Sequence, residues 1–194
     1  MALAFVASLS QVAPTSAARD KNNLVILISE KDSSWCSQSS PGLDQIAIKN
    51  AVTETLAIRN EKGVVVPYLA EKFENSADYK TWVITLRQGI FFHDGEELTA
   101  ATLIANMAAN LGLNPLIPGS LPAIAWQGMF GGVTSAAQFA QKVVATGKYS
   151  VQFNLPLPRP DVMSSFYANG RPTILSTKTL TNPKCGTTVV AGTG

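Results

Sequence analysis

The chain has 194 residues, of which 46% are hydrophobic, and this is enough to bury a core in one domain or two small ones. Charged residues make up only 14%, the formal net charge is +2, and no basic stripe is present, which argues against a nucleic-acid-binding role. No apolar run reaches the ~18 residues that a membrane span requires.

The N-terminal segment has the composition of a targeting signal. Residues 1–18 carry no charge, and a short apolar segment from Ala2 to Ala7 is followed by small residues at 16–18. Small residues in that position are typical of a signal-peptidase site. We therefore predict a signal peptide over residues 1–18, cleaved before Arg19, although its usual basic start is missing. A disordered or helical N-terminus of a cytosolic protein is the alternative interpretation.

The next segment predicts a strand and a polar loop. The run from Asn23 to Ser29 is apolar and rich in β-branched residues, which favours a buried first strand of an α/β sheet. A serine-rich loop, Ser33 to Ser40, follows this strand and contains one large aromatic residue, Trp35.

A helix and a short strand are predicted after the loop. Asp44 can cap a helix from about Gln45 to Ile58, and a strand is predicted from Val64 to Val66. The apolar stripe of this helix has a four-residue spacing and consists of Ile48, Val52 and Leu56.

The stretch from Thr81 to Ala100 is the most informative part of the chain. In its first half, Trp82, Ile84 and Leu86 alternate on one face of a predicted strand. Gly89 permits a turn, after which residues 90–92 resume the strand, so this half predicts a hairpin.

The second half of this stretch predicts a turn and a helix start. The sequence His93-Asp94-Gly95 is typical of a tight turn, because Asp bonds to the nearby backbone and Gly accepts a positive φ. Thr99 is then placed as the N-cap of a helix that extends to about Leu111. The apolar side of this helix consists of Leu103, Met107 and Leu111.

The remaining elements are predicted from shorter patterns. A long Gly- and Pro-rich loop is expected from Gly112 to Gly132, and a short helix from Ser135 to Ala145. Tyr149 to Leu155 alternates as a strand and is stopped by prolines. A helix over Asp161 to Tyr167 and a strand over Ile174 to Ser176 complete the predicted elements.

The text of these elements resembles a known family. The chain is similar to the family 5 extracellular solute-binding proteins in the order of three segments. These are VPYLAEKF (residues 66–73), TWVITLRQGIFFHDGEELTA (81–100), and the strand and prolines after Tyr149. These proteins are the peptide- and nickel-type receptors of ABC importers, and the final V-A-G-T-G resembles the start of their G-T-G-P-Y element. Two positions depart from the family text: Phe73 replaces the usual Trp, and Thr102 replaces an Asp that would support the Thr99 cap, which predicts a weaker helix start.

The resemblance implies a fold and a role. The fold would be α/β, the first lobe of a type II periplasmic-binding-protein-like structure with a mixed sheet and flanking helices, and incomplete over residues 19–194. The role would be that of an exported, periplasmic or secreted receptor that closes its cleft around a peptide-like or other small solute and delivers it to an ABC permease. Catalysis is not expected of such a receptor, and we predict no metal site and no cofactor for this chain. One lobe alone would bind solute weakly.

The resemblance also suggests contact residues. In the family, the loop after the first strand lies at the mouth of the ligand cleft, which makes Ser34, Trp35, Ser39 and Ser40 the candidate ligand-binding residues. Packing of Trp35 over a disulfide is the alternative role for that side chain.

The two cysteines allow two interpretations. Cys36 and Cys185 are far apart in sequence, and in an exported chain an even number of cysteines favours one disulfide. Two separate buried thiols are the alternative.

Enzymatic hypotheses have less support in the sequence. The chain has one histidine, His93, so a zinc site built from two histidines is excluded. A small exported cysteine hydrolase that uses Cys36 with His93 remains a hypothesis from another class, and an inactive truncated product is a third.

Overall fold

The computed structural model describes residues 46, 49–116, 121–167, 172–185 and 191–193. The strands are β1 (Ala57–Arg59), β2 (Val65–Pro67), β3 (Ala70–Asn75), β4 (Thr81–Leu86), β5 (Val143–Gly147) and β6 (Ser150–Asn154). The helices are α1 (Ala100–Asn110), α2 (Leu121–Phe130), α3 (Ala136–Lys142), α4 (Val162–Tyr167) and α5 (Thr177–Leu180). The predicted signal peptide, first strand and serine-rich loop lie outside the described residues.

Two antiparallel sheets organise the described part of the chain. The larger sheet has the strand order β3-β4-β6-β5, and β1 pairs with β2 in a separate ribbon. In the register of β4 with β6, Trp82 is opposite Phe153 and Ile84 is opposite Val151. Helices pack against these strands, so the predicted α/β class is confirmed.

The central strands have one apolar face, as their alternation predicts. Trp82, Ile84 and Leu86 are buried on β4, and Val151 and Phe153 are buried on β6. Their alternate neighbours are only partly buried. This single buried face fixes the register, because a slip of one residue would turn every apolar side chain toward solvent.

Aromatic side chains form the centre of the core. The ring of Phe166 on α4 contacts the rings of Trp126, Phe153 and Phe73 at centroid distances of 5.2, 5.7 and 5.8 Å. Phe130 meets Phe153 edge to face at 5.4 Å. Phe73 therefore supplies the aromatic bulk expected at a position where the family usually has Trp.

Helix α1 begins at the predicted cap and buries the predicted side. Thr99 is its N-cap, with Leu103, Met107 and Leu111 all buried. The Thr99 N–H donates to the hydroxyl of Thr102 at 3.5 Å. The bond that an Asp at position 102 would make to the cap is therefore present in a longer form, with a hydroxyl as its acceptor. No helix in the described part of the chain has the length and apolarity needed to cross a bilayer.

The predicted hairpin from Trp82 to Phe92 is wrong. Strand β4 pairs with β3 and β6, and residues 90–92 form no ladder with it. Phe91 makes only an isolated bridge to Glu97, on the far side of the Asp94-Gly95 turn. The turn itself is confirmed, since Gly95 has φ +79° and the Glu96 N–H donates to Asp94 Oδ1 at 3.1 Å.

Two other predicted elements have different extents in the structure. The helix expected to reach Ile58 ends near Asn50, and Ala57–Arg59 forms β1, so Leu56 is buried from an extended segment. The loop expected from Gly112 to Gly132 contains α2. Pro122 is compatible with this helix because it lies in the first turn, where no intrahelical N–H bond is required.

The last two corrections concern strands. The helix expected to continue to Ala145 ends at Lys142, and β5 follows it directly. Residues 174–176 form no regular strand. Instead, Thr173 bridges to Thr55, and the Ile174 N–H donates to the Glu54 carbonyl at 2.8 Å.

Candidate functional site

A surface depression lies where three segments of the chain meet. Its volume is about 210 Å³. The segments are residues 50–58, the connection between β2 and β3, and the end of α4. The lining residues are Asn50, Thr53, Glu54, Thr55, Ile58, Tyr68 and Tyr167.

Backbone hydrogen bonds hold the three segments together. The Tyr68 N–H donates to the Leu56 carbonyl at 2.8 Å, which fixes the connection after β2 against residues 50–58. The bridge between Thr55 and Thr173 attaches the same segment to the chain beyond α4. The depression is therefore built on ordered backbone, which is a requirement for a defined binding surface.

One wall of the depression carries a carboxylate paired with a phenol. The Tyr68 hydroxyl donates to Glu54 Oε1 at 2.6 Å. This hydrogen bond, together with the negative charge of Glu54, raises the pKa of Tyr68 above its ordinary value, because loss of the proton would place two negative charges side by side.

Another lining residue carries a cation over its aromatic ring. The guanidinium of Arg59 lies over the ring of Tyr167, with 5.1 Å from Cζ to the ring centroid. Arg87 supports the segment of Tyr68, since its Nε–H donates to the Tyr68 carbonyl at 2.6 Å. The depression therefore has a negative end at Glu54 and a positive group beside Tyr167.

The size and lining of the depression define what it can bind. Ligand pockets usually measure ~300–1,000 Å³, so this smaller hollow suits one group of a solute and not a whole drug-sized molecule. Its lining combines a carboxylate, an amide, hydroxyls and two aromatic rings. In the described residues, no group of three or more His, Cys, Asp or Glu side chains is arranged to hold a metal.

A second polar cluster forms around the predicted Asp94-Gly95 turn. The backbone N–H and the hydroxyl of Thr177 donate to the carboxylate of Glu96 at 2.9 and 2.7 Å, so Glu96 caps the start of α5. Burial raises the pKa of Asp94, but hydrogen bonds from the Ser176 hydroxyl and the Glu96 N–H, with the charge of Lys178, outweigh it and lower the pKa overall.

The same turn contacts the end of the described chain. The His93 N–H donates to the Gly192 carbonyl at 3.0 Å, and the Ser176 N–H donates to the Ala191 carbonyl at 3.2 Å. A Cβ at Gly192 would lie 2.0 Å from the Val52 carbonyl oxygen, so only glycine fits there. The His93-Asp94-Gly95 turn and the pair Ala191-Gly192 thus meet in one structural junction.

Most of the site residues predicted from sequence lie outside the described residues. These are Ser34, Trp35, Ser39, Ser40 and Cys36. Cys185 is half-buried and packs against the cluster of Ala109, Leu175 and Leu180. The Cys36–Cys185 bridge and the Cys36–His93 pair therefore stay predictions.

Sequence reasoning missed the lining residues of the depression. The sequence pattern predicts Glu54 inside a helix and Tyr167 at the end of a short helix. The residue type of Tyr68 was the available signal, because Tyr is enriched at the energetically important positions of binding surfaces. In the structure Tyr68 is 39% exposed and directly precedes the buried residues Leu69 and Ala70.

Comparison with protein families identifies the class of the chain. The model of the bacterial extracellular solute-binding proteins, family 5 middle region, matches residues 64–192. This match covers more than half of the chain, so the chain belongs to the family 5 bacterial extracellular solute-binding proteins.

Two curated relatives come from Escherichia coli (strain K12). The periplasmic murein peptide-binding protein MppA is 26% identical over 149 residues, which cover 72% of this chain and 27% of that protein. The nickel-binding periplasmic protein is 35% identical over 68 residues, which cover 35% of this chain and 13% of that protein. The matched part of the chain thus spans 27% of the length of MppA and 13% of the length of the nickel-binding protein.

Solved structures share the fold. The Escherichia coli murein tripeptide binding protein MppA superposes with a TM-score of 0.67 at 22% identity, covering 86% of this chain and 33% of that chain. The oligopeptide-binding protein AppA of Bacillus subtilis, solved in complex with a nonapeptide, superposes with a TM-score of 0.62 at 21% identity, covering 81% and 30%. Both are solute-binding proteins, which confirms the expected fold family.

Proposed function

We propose that this chain is part of an exported, non-enzymatic receptor that binds a peptide-like solute for an ABC permease, and that the depression contacts one group of that solute. Family membership supports the receptor role, and the names of MppA and AppA support a peptide-like solute. Export through residues 1–18, a periplasmic or secreted location and the Cys36–Cys185 bridge belong to the same proposal.

The observation that carries the proposal is the mixed lining of the depression. A peptide presents amide donors and acceptors, charged termini and apolar side chains. The depression offers a carboxylate at Glu54, an amide at Asn50 and the rings of Tyr68 and Tyr167. Such a surface complements a peptide group better than it complements a bare metal ion, which needs convergent ligands.

The proposed affinity of the chain on its own is low. The depression is a surface hollow below the usual ligand-pocket size, so a bound peptide would keep much of its surface in water. Receptors of this kind gain affinity when a cleft closes and buries the ligand. We therefore expect micromolar to millimolar dissociation constants for the full 194-residue chain.

Calorimetric titration of the full chain with tripeptides tests this function. We expect measurable binding of tripeptides, weakened roughly fivefold in Tyr68→Ala because the exposed ring loses about 1 kcal/mol of contact. Phe91→Ala is the matched control, since Phe91 is 58% exposed and lies outside the depression. Titrations with nickel chloride and with a disaccharide use the same protein.

Binding of tripeptides that is equal in Tyr68→Ala and in the unchanged chain would remove the depression from the site. Binding of nickel or the disaccharide with no response to tripeptides would refute the peptide-like solute.

A further inference from the structure

The turn between β3 and β4 places a large aromatic residue where glycine would be favoured. Tyr79 in this turn has φ +55°, and it is the one non-glycine residue with a positive φ in the described part of the chain. A Cβ strains the backbone in this region, so tyrosine costs free energy that glycine would avoid. Strained residues of this kind concentrate at functional sites. The strain therefore points to a role for the Tyr79 side chain.

Tyr79 and Leu157 together form an exposed apolar surface. Tyr79 is 41% exposed, and Leu157, at 66%, is the most exposed large apolar residue in the described part of the chain. The Leu155 N–H donates to the Lys80 carbonyl at 2.7 Å, and the Arg159 N–H donates to the Tyr79 carbonyl at 3.0 Å. These two bonds hold residues 155–159 against the turn, so Leu157 lies close to Tyr79. The Tyr79 patch is defined as four exposed residues: Tyr79, Pro156, Leu157 and Pro158.

Charges of both signs border the Tyr79 patch. Asp78 and Lys80 flank Tyr79 in the chain, and both are exposed. Close to Leu157 in the chain, Arg159 Nε pairs with Asp161 Oδ1 at 3.0 Å. These acids and bases balance, so the border selects neither a strongly acidic nor a strongly basic partner. Under two-fold symmetry an acid of one copy can face a base of the other, which makes the patch complementary to itself.

We propose that the Tyr79 patch binds a second copy of this chain in a two-fold symmetric dimer. In this dimer, Leu157 of each copy packs against the Tyr79 ring of the other. Neither residue lines the depression, so the inference is independent of the proposed function. Because two large side chains from each copy bury less than the ~1,200 Å² of standard interfaces, we expect weak association, with a dissociation constant on the order of 100 µM.

A structural role for Tyr79 is the competing explanation. The centroid of its ring lies 6.4 Å from that of Trp82, and the two rings are tilted by 36°. Cover for the buried Trp82 would by itself account for the tyrosine. A structural role affects the folded monomer, whereas a dimer contact affects the association of two copies. Leu157 separates the two roles, because its side chain is mostly exposed and contributes little to the fold.

Sedimentation velocity of the full chain from ~10 µM to ~1 mM measures the association, and we expect mostly monomer at the low concentration and mostly dimer at the high one. Leu157→Asp should raise the dissociation constant by about tenfold or more, because it places a carboxylate of each copy in an apolar contact. Its circular dichroism spectrum and thermal midpoint should match those of the unchanged chain. Tyr79→Gly should also raise the dissociation constant by about tenfold, because it removes the ring from the contact.

Val64→Asp is the matched control, because Val64 is 55% exposed between β1 and β2 and lies outside the Tyr79 patch. It should leave the dissociation constant within about twofold of that of the unchanged chain. A chain that stays monomeric at ~1 mM overturns the proposed dimer. Association that is unchanged in Leu157→Asp, or that continues beyond a dimer, belongs to another surface and overturns the proposal as well.

Discussion

At the scale of single residues, Asn106 shows how one polar side chain connects distant parts of the fold. It is fully buried on α1, and its Nδ2 donates to the carbonyls of Thr102 and Leu175 at 2.9 and 2.8 Å. Its Oδ1 accepts the Leu175 N–H at 2.9 Å. The Asn106 side chain thus makes the two hydrogen bonds to Leu175 that a neighbouring strand would make if this segment were part of a sheet.

Removal of the Asn106 amide should be costly. In Asn106→Ala the N–H and carbonyl of Leu175 lose their partners in a buried place, and each orphaned group costs ~1–3 kcal/mol. We expect the free energy of unfolding, measured in urea, to fall by about 3 kcal/mol. Asn75→Ala is the control because Asn75 is exposed on β3, and it should change stability by less than about 0.5 kcal/mol. A similar small change in both variants would contradict this role.

Single residues also mark the limit of prediction from sequence. The apolar face of β4 could be predicted because alternation is a local pattern. The lining of the depression could not be predicted, because Glu54, Tyr68 and Tyr167 come together through long-range contacts such as the Thr55–Thr173 bridge and the ribbon of β1 with β2. Pairings between residues far apart in sequence leave no periodic signal.

At the scale of elements, the predictions failed where no glycine or proline marked the boundary between two elements. Strand β5 follows α3 without a glycine or proline between them, so the helical pattern was extended too far. The opposite error affected residues 112–132, where prolines and glycines suggested a loop although α2 tolerates Pro122 in its first turn. Hairpin pairing of β4 was predicted locally, but its second partner is β6, about 70 residues later.

The contact between the Asp94 turn and α5 should depend on pH. Because the pKa of Asp94 is lowered in the folded state, its contribution to stability is present above the unfolded pKa of ~3.9 and is lost as the pH falls through the folded value. Asp94→Asn should therefore lower the unfolding free energy at pH 7 by about 1 kcal/mol or less, and this difference should vanish in strong acid.

Urea unfolding at a series of pH values measures the Asp94 effect. Glu71→Gln is the control, since Glu71 is exposed on β3. If the free energy of unfolding of Asp94→Asn is lower than that of the unchanged chain by the same amount from pH 7 into strong acid, the charge of Asp94 is not the cause of the difference.

Two glycine-to-alanine variants should have opposite effects on stability. At Gly192 a Cβ would clash with the Val52 carbonyl oxygen, so Gly192→Ala should destabilise by about 2 kcal/mol or more. At Gly128, within α2, a Cβ meets nothing within 4 Å, so Gly128→Ala should stabilise by roughly 0.5–1 kcal/mol. Thermal unfolding of both variants measures the signs. Equal effects would contradict the close approach of residues 52 and 192.

At the scale of the whole molecule, the sequence resemblance to the family predicted the fold but did not identify the residues of the depression. The His93-Asp94-Gly95 turn and Gly192 both belong to segments that resemble the family, and in the structure they meet where the His93 N–H donates to the Gly192 carbonyl. Residues that preserve a backbone junction are readable in a family pattern because few side chains fit there. Residues that choose a solute need no common pattern.

Binding of part of a peptide-like solute in the depression is tested by an NMR titration of the isotopically labelled full chain with tri-alanine, followed through backbone amide shifts. We expect the largest shifts at residues 50–58, at Tyr68 and at Tyr167. Shifts confined to residues outside the depression, or none at saturating peptide, would contradict this binding site.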